Sequence, residues 1–448
     1  MGKQLFGTDG IRGVAGEYPL DPATIYAFGI ALGDDAIAAD GNANPEILIG
    51  TDTRESGPWI AELVAGGLKS RGARVRYAGV ITTPGVAYLT RTGPFQAGVM
   101  ISASHNPYQD NGLKVFGHSG FKLPDSEEDA IEQEILQCRA LSIEPVPAKL
   151  DPDETLAREY LEYLISTVPV RFDGLRLVID CGNGAAYRLG PELFRRLGAG
   201  VTALCAEPNG RNINLNCGAL HLESLRAAVL SQGADGGIAF DGDADRAMFI
   251  AGSGKVVDGD AVMLAAARAL KSEGSLNGGM VVATVMSNLG LEKALEREGI
   301  RLVRTPVGDK YVLEEMVRLD APLGGEQSGH VIFRRYTTTG DGLLTALQLF
   351  ATARKAGSTL DDLTAGLQIY PQKLVNVRVR QKKALTELPS VAREIQYAEK
   401  EFGGAGRVLV RFSGTEPLAR VMVEGPDLEQ VEILTARIAD AIRKEMGS

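Results

Sequence analysis

The sequence predicts an α/β protein of several domains, with a smaller α+β domain at its carboxyl end. Three observations carry this. A chain of 448 residues is longer than one hydrophobic core supports. Short apolar runs at 46–50, 175–180, 280–284 and 302–305 are each followed by a helical pattern. That alternation implies parallel or mixed sheets covered by helices. Third, the pattern changes after Tyr370-Pro371, where strands at 374–379 and 408–411 accompany helices around 387–402 and 428–445.

In chain order, three strands end in a small polar turn: ILIGTDTR at 47–54, LVIDCGNG at 177–184 and VVATVMSN at 281–288. They read as three related α/β domains with mixed sheets. A charged, proline-containing segment at 143–154 separates the first from the second. The hairpin-like Ala251-Gly252-Ser253-Gly254-Lys255 separates the second from the third. Domains are therefore expected at 1–150, 151–254, 255–368 and 369–448.

Composition narrows the function classes. No run of about 18 apolar residues exists, so no membrane span is expected. Met1-Gly2-Lys3-Gln4 lacks a signal-peptide pattern, and a cytoplasmic protein is expected. The four cysteines, Cys138, Cys181, Cys205 and Cys217, show no paired metal spacing and read as free thiols. A net charge of −10 without a basic patch argues against nucleic acid as a partner. An anionic substrate would be drawn in by local arginines against the overall field.

Four loops carry chemistry. Ile101-Ser102-Ala103-Ser104-His105-Asn106-Pro107 follows the apolar run 97–101. Asn106-Pro107 breaks that strand and leaves Ser104 on a tight loop at a carboxyl end, where open α/β sheets build sites. The second loop is Asp241-Gly242-Asp243-Ala244-Asp245-Arg246, again after an apolar strand. Three alternate carboxylates repel one another unless a cation removes the cost, and an oxygen-only ligand set suits Mg²⁺. An EF-hand is excluded, because its sixth and twelfth positions would be Arg246 and Gly252.

The third loop is Leu323-Gly324-Gly325-Glu326-Gln327-Ser328-Gly329-His330. Glu326 and Ser328 can accept from and donate to sugar hydroxyls, and His330 can carry a proton or bind phosphate. The fourth is Arg411-Phe412-Ser413-Gly414-Thr415-Glu416-Pro417 with Arg420 following. Two arginines, two hydroxyls and a glycine form a phosphate cradle, since the guanidinium fork matches phosphate oxygens in pairs.

These four loops, with Phe6-Gly7-Thr8-Asp9-Gly10-Ile11-Arg12-Gly13 at the start, resemble the α-D-phosphohexomutase superfamily. Within it the wording is most similar to the bacterial phosphoglucosamine mutases. The pointers are the start motif, GEQSGH at 325–330, and SGTEP followed by RVMVEG. The resemblance runs from Leu5 to about Glu424.

It implies a four-domain architecture, with one loop per domain facing a central cleft. The implied activity interconverts glucosamine 6-phosphate and glucosamine 1-phosphate through a phosphoserine and a bisphosphorylated sugar. That product would feed amino-sugar nucleotide and cell-wall precursor synthesis. Ser104 is then the phosphoserine, and Mg²⁺ is held by Ser104, Asp241, Asp243 and Asp245. Lys114 is the candidate general acid/base, Arg12 holds the phosphoryl group in flight, and His105 orients the loop. Arg246, Gly308, Asp309, Lys310, Glu326, Ser328, Arg411, Ser413, Gly414, Thr415 and Arg420 contact substrate. At 310 the superfamily usually has Arg, so Lys310 keeps the charge but loses the fork. Arg54 is expected in a buried ion pair. The partner is a small-molecule sugar phosphate, and a homodimer is the candidate assembly. Two rivals share parts of this machinery. One is a sister mutase for glucose or mannose phosphate. The other is a phosphatase with Asp241 as nucleophile, which would leave the serine loop and the cradle without a purpose.

Overall fold

The computed structural model describes residues 4–7, 9–40, 44–381, 383, 387–412 and 417–447. It divides into two compact units, Met1–Val285 with Val303–Ala365, and Met286–Leu302 with Gly366–Ser448. Among the described residues no helix is long and apolar enough to cross a membrane.

The first unit holds three mixed sheets. One has six strands in the order Phe6–Gly7, Gly10–Val14, Asp110–Gly117, Ala97–Ile101, Glu46–Thr51 and Arg74–Val80. Glu46–Thr51 runs parallel to both Arg74–Val80 and Ala97–Ile101, and the other pairings are antiparallel. The second orders Val256–Val257, Ala247–Ala251, Gly236–Phe240, Arg176–Asp180 and Gly200–Leu204. The third orders Arg301–Thr305, Met280–Thr284, Leu323–Gly325 and Val331–Phe333.

All three share one plan. A parallel strand with no exposed residue is followed by an antiparallel return strand beside it. Ala97–Ile101 returns as Asp110–Gly117, Gly236–Phe240 as Ala247–Ala251, and Leu323–Gly325 as Val331–Phe333. Strands covered on both faces need continuous apolar sequence, and Ala-Gly-Val-Met-Ile at 97–101 is buried at every position. The three turns between these strand pairs are the serine, acidic and Glu326 loops. Each contains a left-handed residue: Ser104 at φ 52, Ala244 at φ 56 and Gly329 at φ 93.

Two helix starts fasten the acidic turn. Thr82 caps the helix Thr83–Thr92 by accepting the Gly85 N–H at 3.2 Å, and Thr83 N–H then donates to the Asp243 carbonyl at 3.0 Å. Asp341 caps the helix Gly342–Ala356 by accepting the Leu344 N–H at 2.9 Å. Gly342 N–H donates to the Ala244 carbonyl at 3.0 Å.

The second unit carries a three-stranded antiparallel sheet ordered Gln372–Arg378, Leu418–Glu424 and Arg407–Phe412. The helices Pro389–Phe402 and Leu428–Met446 supply Val391, Phe402 and Ile438 to a core with Val377, Val421 and Val423. The central strand, Leu418–Glu424, is not among the strands expected from sequence, because Arg420 interrupts its apolar run. The helix Leu289–Arg297 falls in this unit.

Candidate active site

Ser104 sits in the turn after Ala97–Ile101 and is only 1% exposed, so it is buried rather than at an open loop tip. Its N–H donates to Ser102 Oγ at 2.9 Å, and Ser102 Oγ donates to Asp52 at 2.7 Å. Asp52 pairs with Arg54 at 2.9 Å, both side chains being fully buried. Arg54 does more than balance that charge. Its Nη2 donates to the carbonyls of Ser104 and Asn106, each at 2.9 Å. Its Nη1 donates to the Asp110 carbonyl at 3.0 Å and to that of Pro107. Asn214 adds donors to Ser104 and Asn106 at 2.9 and 3.3 Å. The serine turn is therefore gripped by its backbone oxygens.

The acidic turn meets it directly. Ser104 Oγ donates to Asp241 Oδ2 at 2.5 Å. A Cβ on Gly242 would lie 2.4 Å from the Ser104 carbonyl oxygen, so only glycine lets the two turns approach this closely. Lys114, on the return strand Asp110–Gly117, is 1% exposed and reaches Asp243 at 2.8 Å, Asp9 at 3.1 Å and Asp245 at 3.7 Å. Burial works against its ammonium, but those three carboxylates outweigh it and hold its pKa above the ordinary value.

Oxygens of Asp241, Asp243 and Asp245 lie within 4.8 Å of one another. Burial, with the Asp245 and Asp243 charges, pushes the Asp241 carboxyl well up. Asp245 goes the other way: burial raises it, but Lys114, His330 and Arg246 pull it down. Asp243 Oδ1 and Asp245 Oδ1 are buried with no hydrogen-bond partner. Buried oxygens that lack donors and belong to mutually repelling carboxylates fit a hard divalent cation.

One arginine reaches the serine hydroxyl. Arg246 Nη1 lies 3.4 Å from Ser104 Oγ and donates to His105 Nδ1 at 2.5 Å. Burial and the Arg246 charge push His105 down to about 4. His105 is thus a neutral acceptor, in keeping with an orienting role rather than proton transfer. Arg12 pairs with Asp9.

In the third turn, Glu326 accepts the Gly308 N–H at 3.3 Å and a bond from Ser328 Oγ at 3.5 Å. The structure thus brings Gly308, Glu326 and Ser328 together. Lys310 is turned aside to Asp125 at 2.8 Å. Asp309 is held by Lys122 at 2.5 Å, and Lys122 also holds Asp9 at 2.6 Å. His330 is 2% exposed. Its Nε2 accepts the Gly340 N–H at 2.9 Å and its Nδ1 faces Asp245 at 3.7 Å. One nitrogen of His330 is thus already engaged by the protein, while the other faces Asp245.

In the second unit, Arg411 and Arg420 are direct cross-strand partners. Burial and the Arg420 charge lower the Arg411 pKa. Like charges placed opposite on adjacent strands are costly, and an anion between them removes that cost. Ser413, Gly414 and Thr415 lie outside the described residues.

The chain matches the phosphoglucomutase/phosphomannomutase family in four consecutive pieces. These are α/β/α domain I at 3–140, domain II at 158–254, domain III at 258–370 and the C-terminal domain at 374–441. It is 72% identical to the phosphoglucosamine mutase of Solibacter usitatus, with all of both chains covered. It is 51% identical to that of Koribacter versatilis, covering 99% of this chain and 98% of the relative. The chain belongs to the phosphoglucosamine mutase family.

Solved structures agree on the fold. A phosphoglucomutase/phosphomannomutase family protein from Burkholderia thailandensis superposes with a TM-score of 0.80 at 23% identity, covering 98% of this chain and 97% of that one. The Aspergillus fumigatus N-acetylphosphoglucosamine mutase, in complex with GlcNAc-6P and magnesium, gives 0.62 at 18% identity, covering 98% and 96%.

Several residues of this family member escape the sequence motifs. Asp52, Arg54 and Asn214 work through the backbone of the serine turn. Lys122 ties Asp9 to Asp309 across the first unit.

Proposed function

We propose that this chain interconverts glucosamine 6-phosphate and glucosamine 1-phosphate through a phosphorylated Ser104 and a sugar 1,6-bisphosphate. The observation that carries the proposal is the buried contact of Ser104 Oγ with Asp241 at 2.5 Å, beside two further carboxylates and Arg246. Phosphoryl transfer needs positioning and charge neutralisation more than a strong nucleophile, and this site is arranged for both.

Ser104 passes its phosphoryl group to the free hydroxyl of the bound sugar phosphate. The bisphosphate then turns over, and its other phosphate returns to Ser104. Arg246 and Arg12 steady the phosphoryl oxygens. Lys114 enters protonated, because its ion pairs favour the ammonium. It therefore serves first as an acid, and taking a proton requires its hold on Asp243 and Asp9 to loosen. Glu326, Ser328 and Gly308 meet the sugar hydroxyls, while Arg411 and Arg420 hold the phosphate that is not reacting. Asp241, Asp243, Asp245 and Ser104 would hold Mg²⁺, which supplies positive charge against the transferring group.

The relatives' names favour glucosamine phosphate over glucose or mannose phosphate. The test is a panel of glucosamine, N-acetylglucosamine, glucose and mannose 6-phosphates, each primed with its bisphosphate, on wild type and Ser104→Ala. Glucosamine 6-phosphate should show the highest kcat/KM, and Ser104→Ala should lose turnover together with its added phosphate. A preference for mannose phosphate, or substantial turnover without Ser104, would overturn the proposal. A phosphoenzyme labile to hydroxylamine would point to Asp241 instead.

A further inference from the structure

Behind the serine turn, in the second sheet's domain, two thiols face each other. Cys205 follows the strand Gly200–Leu204 in a left-handed conformation, φ 46. Cys217 stands immediately before the short helix Gly218–Leu220. Their sulfurs and an Asp180 oxygen lie within 4.8 Å of one another. Cys217 is buried, while Cys205 is partly exposed, so solutes reach only one of the pair. The other two thiols, Cys138 and Cys181, are both buried.

A metal reading fits this cluster less well than a dithiol does. Structural zinc sites close a tetrahedron of four ligands, and here there are three donors. Both Asp180 oxygens already accept backbone N–H groups, from Gly182 at 2.9 Å and Gly218 at 3.0 Å. What remains is a partly exposed thiol backed by a buried one, the arrangement of an attacking and a resolving cysteine.

The segment between them bears on Ser104. Asn214, three residues before Cys217, donates its amide to the Ser104 and Asn106 carbonyls at 2.9 and 3.3 Å. Asn214 N–H is itself tied to the Gly182 carbonyl at 2.8 Å. Disulfide geometry is specific, with a sulfur–sulfur bond of about 2.05 Å. Drawing Cys217 from hydrogen-bond contact to bonding distance therefore displaces the chain that carries Asn214.

We propose that Cys205 and Cys217 form a reversible dithiol–disulfide couple, oxidised by hydroperoxides, that governs the grip of Asn214 on the serine turn. Cys205 thiolate attacks one oxygen of hydrogen peroxide. The O–O bond breaks, the sulfur becomes a sulfenic acid, and the departing hydroxide takes up the Cys205 proton as water. Cys217 then attacks that sulfur, the S–S bond forms and the S–O bond breaks. The second hydroxide leaves with the Cys217 proton. One peroxide is reduced to two waters and two thiols are oxidised to one disulfide. The hydrogen bond from Cys217 lowers the Cys205 thiol pKa, with burial opposing, which favours attack from Cys205.

The test uses the full chain, treated with hydrogen peroxide, alkylated, digested and mapped by mass. Wild type should give a peptide pair cross-linked through Cys205 and Cys217, released by dithiothreitol. Cys217→Ser should leave Cys205 as a sulfenic acid captured by dimedone. Cross-linking elsewhere, absence of both products, or stoichiometric zinc in the purified protein that is lost in Cys205→Ser would overturn the proposal. These readouts are masses and do not depend on the mutase assignment. Turnover is the second arm. Loss of neutral hydrogen bonds to two carbonyls should slow the oxidised enzyme by about five- to a hundredfold, recovering with dithiothreitol, while Cys205→Ser and Cys217→Ser resist peroxide. A disulfide that forms with turnover unchanged would overturn the coupling to Asn214.

Discussion

Replacing Arg54 with Lys keeps one positive charge and removes the fork. Arg54 serves five acceptors: Asp52 and the carbonyls of Ser104, Asn106, Pro107 and Asp110. An ammonium has three N–H donors, so at least two acceptors lose theirs. A hydrogen bond to a charged group contributes about 1.5–3 kcal/mol, which puts the lost hold on the serine turn at about 3–6 kcal/mol. Asp52 can keep its counter-ion, so the further cost of an unpaired buried carboxylate, about 3–5 kcal/mol, is avoided. The fold should survive while the turn loosens. A shift of about 1 Å at a reacting group costs on the order of 10²-fold in rate, so kcat should fall by about that factor. Two measurements separate loosening from unfolding. Hydrogen exchange should rise in the peptide spanning 102–110 and stay unchanged in the strand Gly236–Phe240. If kcat stays within about threefold of wild type (~0.7 kcal/mol) and protection of the turn is unaltered, Arg54 is only a counter-ion and this reasoning fails.

Asp243→Asn removes an anionic ligand, and chelation should mimic it; full turnover of wild type in excess EDTA would contradict the Mg²⁺ assignment. Arg411→Ala should lower kcat/KM by about ten- to a hundredfold in both reaction directions while leaving the phosphoserine in place, as read by initial rates and intact mass. Gly242→Ala should separate the serine and acidic turns and abolish turnover while circular dichroism stays native, since its Cβ would meet the Ser104 carbonyl. Asp341 has its carboxyl raised by burial from 3.8 to about 6. Its contribution to stability is therefore full at low pH and is lost as pH rises through about 6, amounting to about 3 kcal/mol. Asparagine keeps the helix cap, so urea titrations of Asp341→Asn should show a flatter pH dependence between about 4 and 6 than wild type. Identical slopes would show that Asp341 does not titrate in that window.

The sequence exposed what side-chain identity and local order encode. The strands at 97–101 and 280–284 were legible because buried strands are written as unbroken apolar runs. The acidic and serine turns were legible because polar residues crowd against the ends of those runs. Contacts made to backbone oxygens were not legible. A carbonyl has no residue type, so nothing in the sequence marks Ser104, Asn106, Pro107 and Asp110 as the acceptors of Arg54. Long separations hid others: Asn214 and Ser104 are 110 positions apart, and Lys122 and Asp309 are 187 apart. His330 looked able to carry a proton, and only the Gly340 N–H on its Nε2 shows one nitrogen already engaged.

The shared plan of the three sheets explains why the chemistry collects where it does. In each, a parallel strand must reverse into an antiparallel neighbour within a few residues. Such a reversal calls for a left-handed residue, and glycine meets the need without steric cost. Gly329 does so in the third turn, but Ser104 and Ala244 occupy that position in the other two. A left-handed non-glycine residue costs of order 1–3 kcal/mol and persists only where its surroundings over-determine it. For Ser104 those surroundings are Arg54, Asn214 and Ser102. For Ala244 they are the two helix starts, through Thr83 on Asp243 and Gly342 on Ala244. The strained conformation aims the serine hydroxyl at Asp241, so the clamps fix the reacting geometry as well as the fold. Loosening any clamp should therefore reduce rate before it reduces stability, and Arg54→Lys is the sharpest case because Arg54 touches four carbonyls of the turn at once.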